Sequence, residues 1–304
     1  MPVKKLEVDN DNIDRRLDNY LLSIFKDIPK SKIYSIIRKG EVRVNSGRVK
    51  PQRKLKLGDI IRIPPYLDNV KKFERAKVIP DNIIKLIKNS IIYEDSNYLV
   101  INKPHGLSVH GGTKNTIGVI SVMRHLFSDS IDLCHRIDKN TSGCLVLSKN
   151  KTSNKHFNEE LKKKTIKKKY LAILKGHLKS DMQIDIPIDK SFSTYAKSFI
   201  SDNGKQSLSN FKILKKLNSS CLVEVRIYTG RTHQIRVQSQ HIGHPILNDD
   251  KYGDKEFNNS PLLKNTKRMA LHSSEMEFID QSNKTIKVKA QIDKSFNELL
   301  ELLK

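Results

Sequence analysis

The stretch "CHRIDKNTSG", residues 134–143, sets a His-Arg pair and an aspartate directly before a polar turn, with apolar residues on both sides. An aspartate at the end of an apolar run and close to a basic partner is partly desolvated and held charged by that partner, which suits a nucleophile or a general base. Asp138 is therefore the candidate reactive group. The same spacing also fits an aspartate that caps the turn behind it, with Asn140 and Thr141 satisfying nearby backbone groups. Local sequence does not separate these two roles. Other chemistries find less support. Glycosidases generally flank the scissile bond with two carboxylates, and only one acid stands out here. Ser142 lies in a Thr-Ser-Gly turn and not in GxSxG. There is no GxxxxGK[ST] phosphate loop, and Gly111-Gly112 lacks the further glycines of a dinucleotide fingerprint. The ten histidines do not cluster with cysteines or acids, and His241 and His244 form an HxxH without the glutamate of a zinc protease. Neither a metal nor a nucleotide cofactor is expected.

Composition says what such a group would act on. The 304 residues carry 57 Lys+Arg against 33 Asp+Glu, a net charge of +24, with a pI near 9.8. That excess gives a strong, salt-sensitive attraction to a polyanion, nucleic acid first. Abundant lysine, isoleucine and asparagine would also follow from A+T-rich coding, so the charge needs support from motifs. Cys134, Cys144 and Cys221 form no CxxC pair and leave one over from any disulfide, which argues for a cytoplasmic chain. The start "MPVKKLEVDNDN" has no apolar h-region, and no uncharged apolar run is long enough to cross a bilayer, so no membrane association is expected. No heptad or long apolar stripe suggests self-association, and a monomer is the default.

The elements that must position Asp138 follow from periodicity. Ile13, Leu17, Leu21 and Ile24 recur at helical spacing, Ile33 to Ile37 forms a second helix ended by Gly40, and "EVRVN" and "LKLGDIIRIP" read as short strands. This is a compact ααβ unit over residues 13–65. Residues 66–90 read as a basic linker with one short helix at Asp81–Lys88. In the remainder, 91–304, "NYLVINKPHGLSVHGG" gives two strands about a turn, "TIGVISVMRHLF" a helix, and "CHRID" and "CLVLSKN" two strands about the Asn140–Gly143 turn. "KHFNEEL" gives a helix, "IKKKYLAIL" and "CLVEVRIYT" strands, and "RTHQIRVQSQHI" a helix stopped at Gly243. Strands dominate with helices inserted irregularly, so the fold class is α+β with a mixed, largely antiparallel sheet.

"RRLDNYLLSIF" followed by "SKIYSIIRKGEVRVNSGRVKP" resembles the S4 RNA-binding module. The resemblance implies recognition of structured RNA by basic side chains on a rigid helix pair, here Lys30, Lys32, Arg38, Lys39, Arg43 and Arg48.

"HRIDKNTSG", "KKKYLAILKG", "YTGRTHQIRVQ", "GHPILNDDKYGD" and "RMALHSSEMEF" occur in that order, and together they resemble the RluA-type pseudouridine synthase family over nearly all of the second domain. With the S4 module in front, the resemblance is to family members that modify large-subunit ribosomal RNA. It implies a cofactor-free isomerisation in which uracil is detached at N1, turned, and rejoined to the ribose through C5. It implies that Asp138 is the catalytic aspartate, attacking the nucleotide or taking a proton from its ribose. Arg136 matches the arginine that fills the space of the extruded base, Tyr170 the tyrosine that stacks on uracil, and Arg231 the arginine that pairs with the aspartate. Ile235 would close the pocket on the base. Gln238 stands where the family often has histidine, and Asn248 where it often has glycine; asparagine tolerates a left-handed backbone and can keep that loop. Transfer RNA as substrate, or a role as an RNA-binding ribosome assembly factor, are the alternatives.

Overall fold

The computed structural model describes residues 4–25, 28–67, 79–111, 117–190 and 197–304. Part of the expected linker, 68–78, lies outside them, as do residues 112–116 of the glycine-containing segment. Contacts divide the chain into two units, Met1–Val78 and Ile79–Lys304.

In the first unit, strands β1 (Lys4–Glu7), β2 (Arg43–Val44) and β3 (Ile60–Ile63) form a sheet in the order β1-β3-β2, joined by helices α1 (Leu17–Ile24) and α2 (Lys30–Arg38). Leu17, Leu21, Ile33, Ile36 and Ile37 pack with Val44, Ile61 and Ile63 into one core. Two expectations change here, and one strand is added. The first helix starts at Leu17 and not Ile13, because Asp14 takes a left-handed φ of 59° and Arg16 bridges to Lys54. "LKL" is not a strand: Leu55 exchanges backbone bonds with the loop at Asp14 and Arg15, and the place beside β3 goes to β1. β1, "KKLE", has one half-buried side chain and three exposed ones, so it carries no strand signature.

The second unit begins earlier than residue 91. Its first helix, α3 (Asp81–Lys88), was expected within the linker, but Ile87 is fully buried in a core with Ile83, Ile84 and Leu99, so burial fixes this helix to the unit. Then come β4 (Ile91–Glu94), β5 (Tyr98–Lys103), α4 (Val119–Leu126), β6 (Asp132–Leu133), β7 (Ser142–Ser148), α5 (Lys151–Lys163) and β8 (Lys167–Lys175). β9 (Met182–Lys190), β10 (Ser198–Ile200), β11 (Lys205–Leu217), β12 (Ser220–Ile227), α6 (Gln234–His241), α7 (Lys255–Asn258), β13 (Leu271–Ile279), β14 (Thr285–Lys289) and α8 (Lys294–Leu302) complete it. The strands make one sheet, ordered β10-β9-β11-β12-β8-β13-β7-β5-β4, with β14 on β13 and β6 on β7. Among the described residues every pairing in it is antiparallel except β7 with β13, as the expected mixed α+β sheet requires.

β7 is buried at all seven positions, which is why "SGCLVLS" reads as a continuous apolar run without alternation. Its two faces serve two cores. Leu145 and Leu147 join Leu99 and Ile101 against α3 and α4, while Cys144 and Val146 join Tyr98 and Val100 against Phe157 of α5 and Phe278. The parallel joint needs a glycine: Gly143 has φ 105°, and a Cβ there would lie 2.2 Å from the Ser273 carbonyl oxygen. Residues 107–111, "LSVHG", are not a second strand, because the Ser108 and Val109 carbonyls accept from Val119 and Ile120 at the start of α4; Gly112 lies outside the described residues. No helix among the described residues is long and apolar enough to cross a membrane.

Candidate active site

"CHRID" leaves the sheet before it reaches Asp138. β6 pairs with β7 at Asp132 and Leu133 and no further, and the Cys134 amide still donates to the Val146 carbonyl at 3.1 Å. The reciprocal bond is gone: the Val146 amide donates to the His135 Nε2 at 3.0 Å. An imidazole that accepts at Nε2 is neutral, and burial pulls the His135 pKa down to about 3. The ring also stacks on Phe157, with centroids 6.0 Å apart. His135 is thus a structural residue that substitutes for a backbone carbonyl and lets residues 136–138 peel off the sheet.

Asp138 then opens a turn, its carbonyl accepting from the Thr141 amide at 3.1 Å. The next carbonyl, Lys139, accepts from the Gly106 amide and from Lys103 Nζ, each at 3.0 Å. Lys103 also donates to the Pro104 and Leu107 carbonyls at 2.9 Å. It is fully buried, and burial pulls its pKa down to about 7. This lysine ties the loop after β5 to the loop that carries Asp138.

The Asp138 carboxylate does not cap its own turn. Its Oδ2 accepts from Arg236 Nη1 at 2.9 Å, and His233 Nε2 stands 3.9 Å from Oδ1. The partner expected was Arg231, and the structure corrects this: the Arg231 Nε donates to the Gln206 carbonyl at 3.1 Å, although the residue does line the cavity. The reason is the seating of α6. Gln234 donates to the Leu208 carbonyl and to Ser209 Oγ, and Gln238 accepts from Ser209 Oγ and donates to the Ser207 carbonyl. These bonds to β11 fix the rotation of the helix, bury Ile235, Arg236 and Val237, and aim Arg236 at Asp138.

Arg236 is the hub of the site. Its Nε and Nη2 hold Asp249 in a two-bond fork at 2.6 and 2.7 Å, and Nη2 reaches Asp250 at 3.1 Å. Burial opposes its charge, but Asp249 and Asp138 outweigh burial and hold the pKa above the ordinary guanidinium value. Asp249 is fully buried at its side chain; burial pushes its pKa up, and Arg236 with the amides of Lys251 and Tyr252 brings it below the usual carboxylate value. Asn248 has φ 57°, the left-handed conformation expected of it, and its side-chain Nδ2 donates to Thr266 Oγ1 and the Arg268 carbonyl.

These side chains border an open cavity of about 730 Å³ lined by Arg136, Asp138, Tyr170, Arg231 and Arg236. A recess of about 90 Å³ continues from it, walled by Asp138, Tyr170, Ile227, Ile235 and Leu271. Of the expected residues, Asp138, Arg136, Tyr170, Arg231 and Ile235 all come together here. Tyr170 and Ile235 are nearly buried, and burial holds the Tyr170 hydroxyl well above the ordinary phenol value, so it stays neutral. Arg136 is exposed at the edge. The recess sets the apolar side chains of Ile227, Ile235 and Leu271 and the Tyr170 ring beside the polar groups of Asp138, His233 and Arg236. Among the described residues no three His, Cys, Asp or Glu side chains gather to hold a metal.

The geometry agrees with what the chain is similar to. A family model described as RNA pseudouridylate synthase matches residues 97–241, and an S4 domain model matches residues 15–61. A ribosomal large subunit pseudouridine synthase C of Pasteurella multocida is 38% identical over 99% of this chain and 94% of its own length. The chain belongs to the RNA pseudouridylate synthase family. A second relative of the same name, from Buchnera aphidicola, is 40% identical over 100% of this chain and 98% of its own. Among solved structures, human RNA pseudouridylate synthase domain containing 4 superposes with a TM-score of 0.61 at 26% identity, covering 73% of this chain and 96% of that one.

Within this family assignment, the residues that sequence reasoning missed are Arg236, Asp249 and His233. The signal for Arg236 was its place between the apolar Ile235 and Val237 of the expected helix; the structure buries it there, where a guanidinium needs carboxylate partners.

The S4 residues form a separate surface in the first unit. Lys30, Lys32, Arg38, Lys39 and Arg48 are exposed, whereas Arg43 is half-buried with its Nε on the Gly40 carbonyl at 3.2 Å. Beneath them, Asp18 is buried and accepts from Arg16 and from the Tyr34 hydroxyl, which locks α1 to α2; the Arg16 hydrogen bond is the main reason its pKa lies below the usual carboxylate value.

Proposed function

We propose that this chain isomerises uridine to pseudouridine at defined positions of large-subunit ribosomal RNA. The observation that carries the reading is the Asp138 carboxylate, bonded to Arg236 at 2.9 Å, at the end of a recess walled by Tyr170 and Ile235. A uridine turned out of its RNA places uracil in that recess, with Tyr170 and Ile235 on the ring and the ribose C1′ toward Asp138. Asp138 attacks the nucleotide or takes a ribose proton; the N1–C1′ bond breaks, the C5–C1′ bond forms, C5 loses its proton and N1 gains one. Arg136 at the edge occupies the space the base has left. Arg236 fixes the direction of the carboxylate throughout, and Arg231 lines the wall without that role. Full-length similarity to relatives named for the large subunit supports the substrate, and the exposed cations of the S4 unit supply salt-sensitive RNA affinity.

The test is a pseudouridine map of ribosomal and transfer RNA from cells carrying the wild-type chain or Asp138→Asn, a nearly isosteric change. Loss of discrete large-subunit sites in the variant is expected. Loss of transfer RNA sites instead would overturn the substrate, and unchanged maps would leave a passive RNA-binding protein.

A further inference from the structure

The cavity wall holds a largely buried cation, Lys168, that the reaction above does not use. Lys168 is two residues before Tyr170 on β8, so both side chains leave the same face of the strand, and Lys168 lies opposite Ile227 of β12 in the ladder. Both border the 730 Å³ cavity, whereas the inner 90 Å³ recess has Tyr170 and Ile227 in its wall but not Lys168. The lysine therefore lies in the outer chamber, where the backbone of a nucleotide whose base fills the recess has to run.

Its surroundings are unusual for a lysine. It is only 9% exposed, and among the described residues it has no ion-pair or side-chain hydrogen-bond partner. The other cations of the cavity are differently disposed: Arg236 is shared by Asp138, Asp249 and Asp250, Arg231 is bonded to the Gln206 carbonyl, Lys251 is half-buried, and Arg136 and Lys139 are exposed at the edge. An ammonium on a largely buried side chain, with no carboxylate beside it among the described residues, is left for an anion in the cavity to complete. Burial alone pulls its pKa down to about 8, and nothing on the protein pushes it back.

We propose that Lys168 is a binding residue for the phosphodiester of the extruded uridine, holding the backbone in the outer chamber so that the base seats between Tyr170 and Ile235. The proposal rests on the reading of the site as a pseudouridine synthase. It makes Lys168 the site's own sensor of a flipped nucleotide, separate from the S4 cations that gather RNA.

The experiment uses the full chain and a large-subunit RNA fragment containing one uridine located by the map above. The fragment is made with ordinary phosphates, or with a neutral methylphosphonate 5′ or 3′ of that uridine. Wild-type protein, Lys168→Met and Lys168→Arg are compared by KM and kcat for pseudouridine formation. With ordinary RNA, Lys168→Met raises KM about 10- to 100-fold, the range for losing a charged hydrogen bond, and Lys168→Arg restores most of it. One of the methylphosphonates produces a similar loss in wild type and no further loss in Lys168→Met. A merely structural lysine would give losses that multiply, and that result overturns the proposal. If Lys168→Met does not fold, wild type decides alone: indifference to both methylphosphonates overturns it. Absence of pseudouridine with wild type and ordinary RNA would instead remove the underlying reading.

Discussion

Replacing Arg236 by methionine removes a cation that serves two purposes, and the structure says they separate. Its fork to Asp249 joins two buried groups, so the single change strands a carboxylate in the interior; breaking a buried pair from one side costs about 3–5 kcal/mol. That is a large part of the roughly 5–15 kcal/mol that keeps a domain folded. Asp249→Asn in the same chain removes the stranded charge, while an amide oxygen at that position can still accept from the Lys251 and Tyr252 amides. Arg236→Met/Asp249→Asn should therefore recover most of the lost stability. Activity should not recover, because Asp138, at 28% exposure, still lacks the donor that orients it. Loss of that charge-assisted bond is worth about 1.5–3 kcal/mol, or roughly 10- to 150-fold in turnover. The assays are urea unfolding followed by far-UV circular dichroism and single-turnover pseudouridine formation. Acid titration adds a third readout. Asp249 has a folded pKa below its unfolded value, so its contribution is complete above the ordinary 3.8 and is lost as pH falls through the lower, folded value. Arg236→Met should flatten that acid limb. A double variant as unstable as the single one, or turnover that returns together with stability, would refute the separation.

Gly143→Ala should destabilise the protein by at least about 2 kcal/mol, since its Cβ would meet the Ser273 carbonyl at 2.2 Å in a backbone with φ 105°; thermal unfolding checks this, and a neutral result would contradict the described joint. Lys103→Met strips a donor from the Pro104, Leu107 and Lys139 carbonyls, of which Lys139 keeps the Gly106 amide, and should cost about 1–3 kcal/mol while slowing turnover through the Asp138 loop. Because the folded pKa of Lys103, about 7, lies below the ordinary 10.5, the unfolded chain binds more protons between those values; wild type gains stability as pH rises through that window, and Lys103→Met lacks the gain. Changing Lys30, Lys32, Arg38 and Lys39 together to alanine should lower the slope of log affinity against log salt by about 0.7–0.9 for each phosphate left without its cation, with turnover at saturating RNA unchanged. A slope equal to wild type would remove these side chains from the RNA interface.

Local sequence carried the parts of this protein that are decided locally. The helices at 81–88, 119–126, 151–163 and 234–241 follow from 3.6-residue periodicity, and the strands about Tyr170 and Val223 from alternation and β-branched content. Asn248 is legible because few residues tolerate a left-handed φ, and Asp138 because an acid beside an apolar run is chemically costly. What the sequence leaves open is which partner each group meets. Arg231 and Arg236 lie five residues apart in one motif, and the choice between them is the rotation of α6, set by Gln234 and Gln238 bonding to a strand more than twenty residues away. "CHRID" has the composition of a strand, yet the His135 ring takes the bond of a backbone carbonyl and ends the ladder. The parallel joint of Ser142 and Gly143 with His272 and Ser273 brings together segments 130 residues apart, with Ser142 Oγ 2.7 Å from His272 Nδ1. Propensity and periodicity act over a few residues, whereas burying Arg236 is tolerable only where Asp138, Asp249 and Asp250, from two distant loops, converge on it, and that convergence exists only in the folded chain.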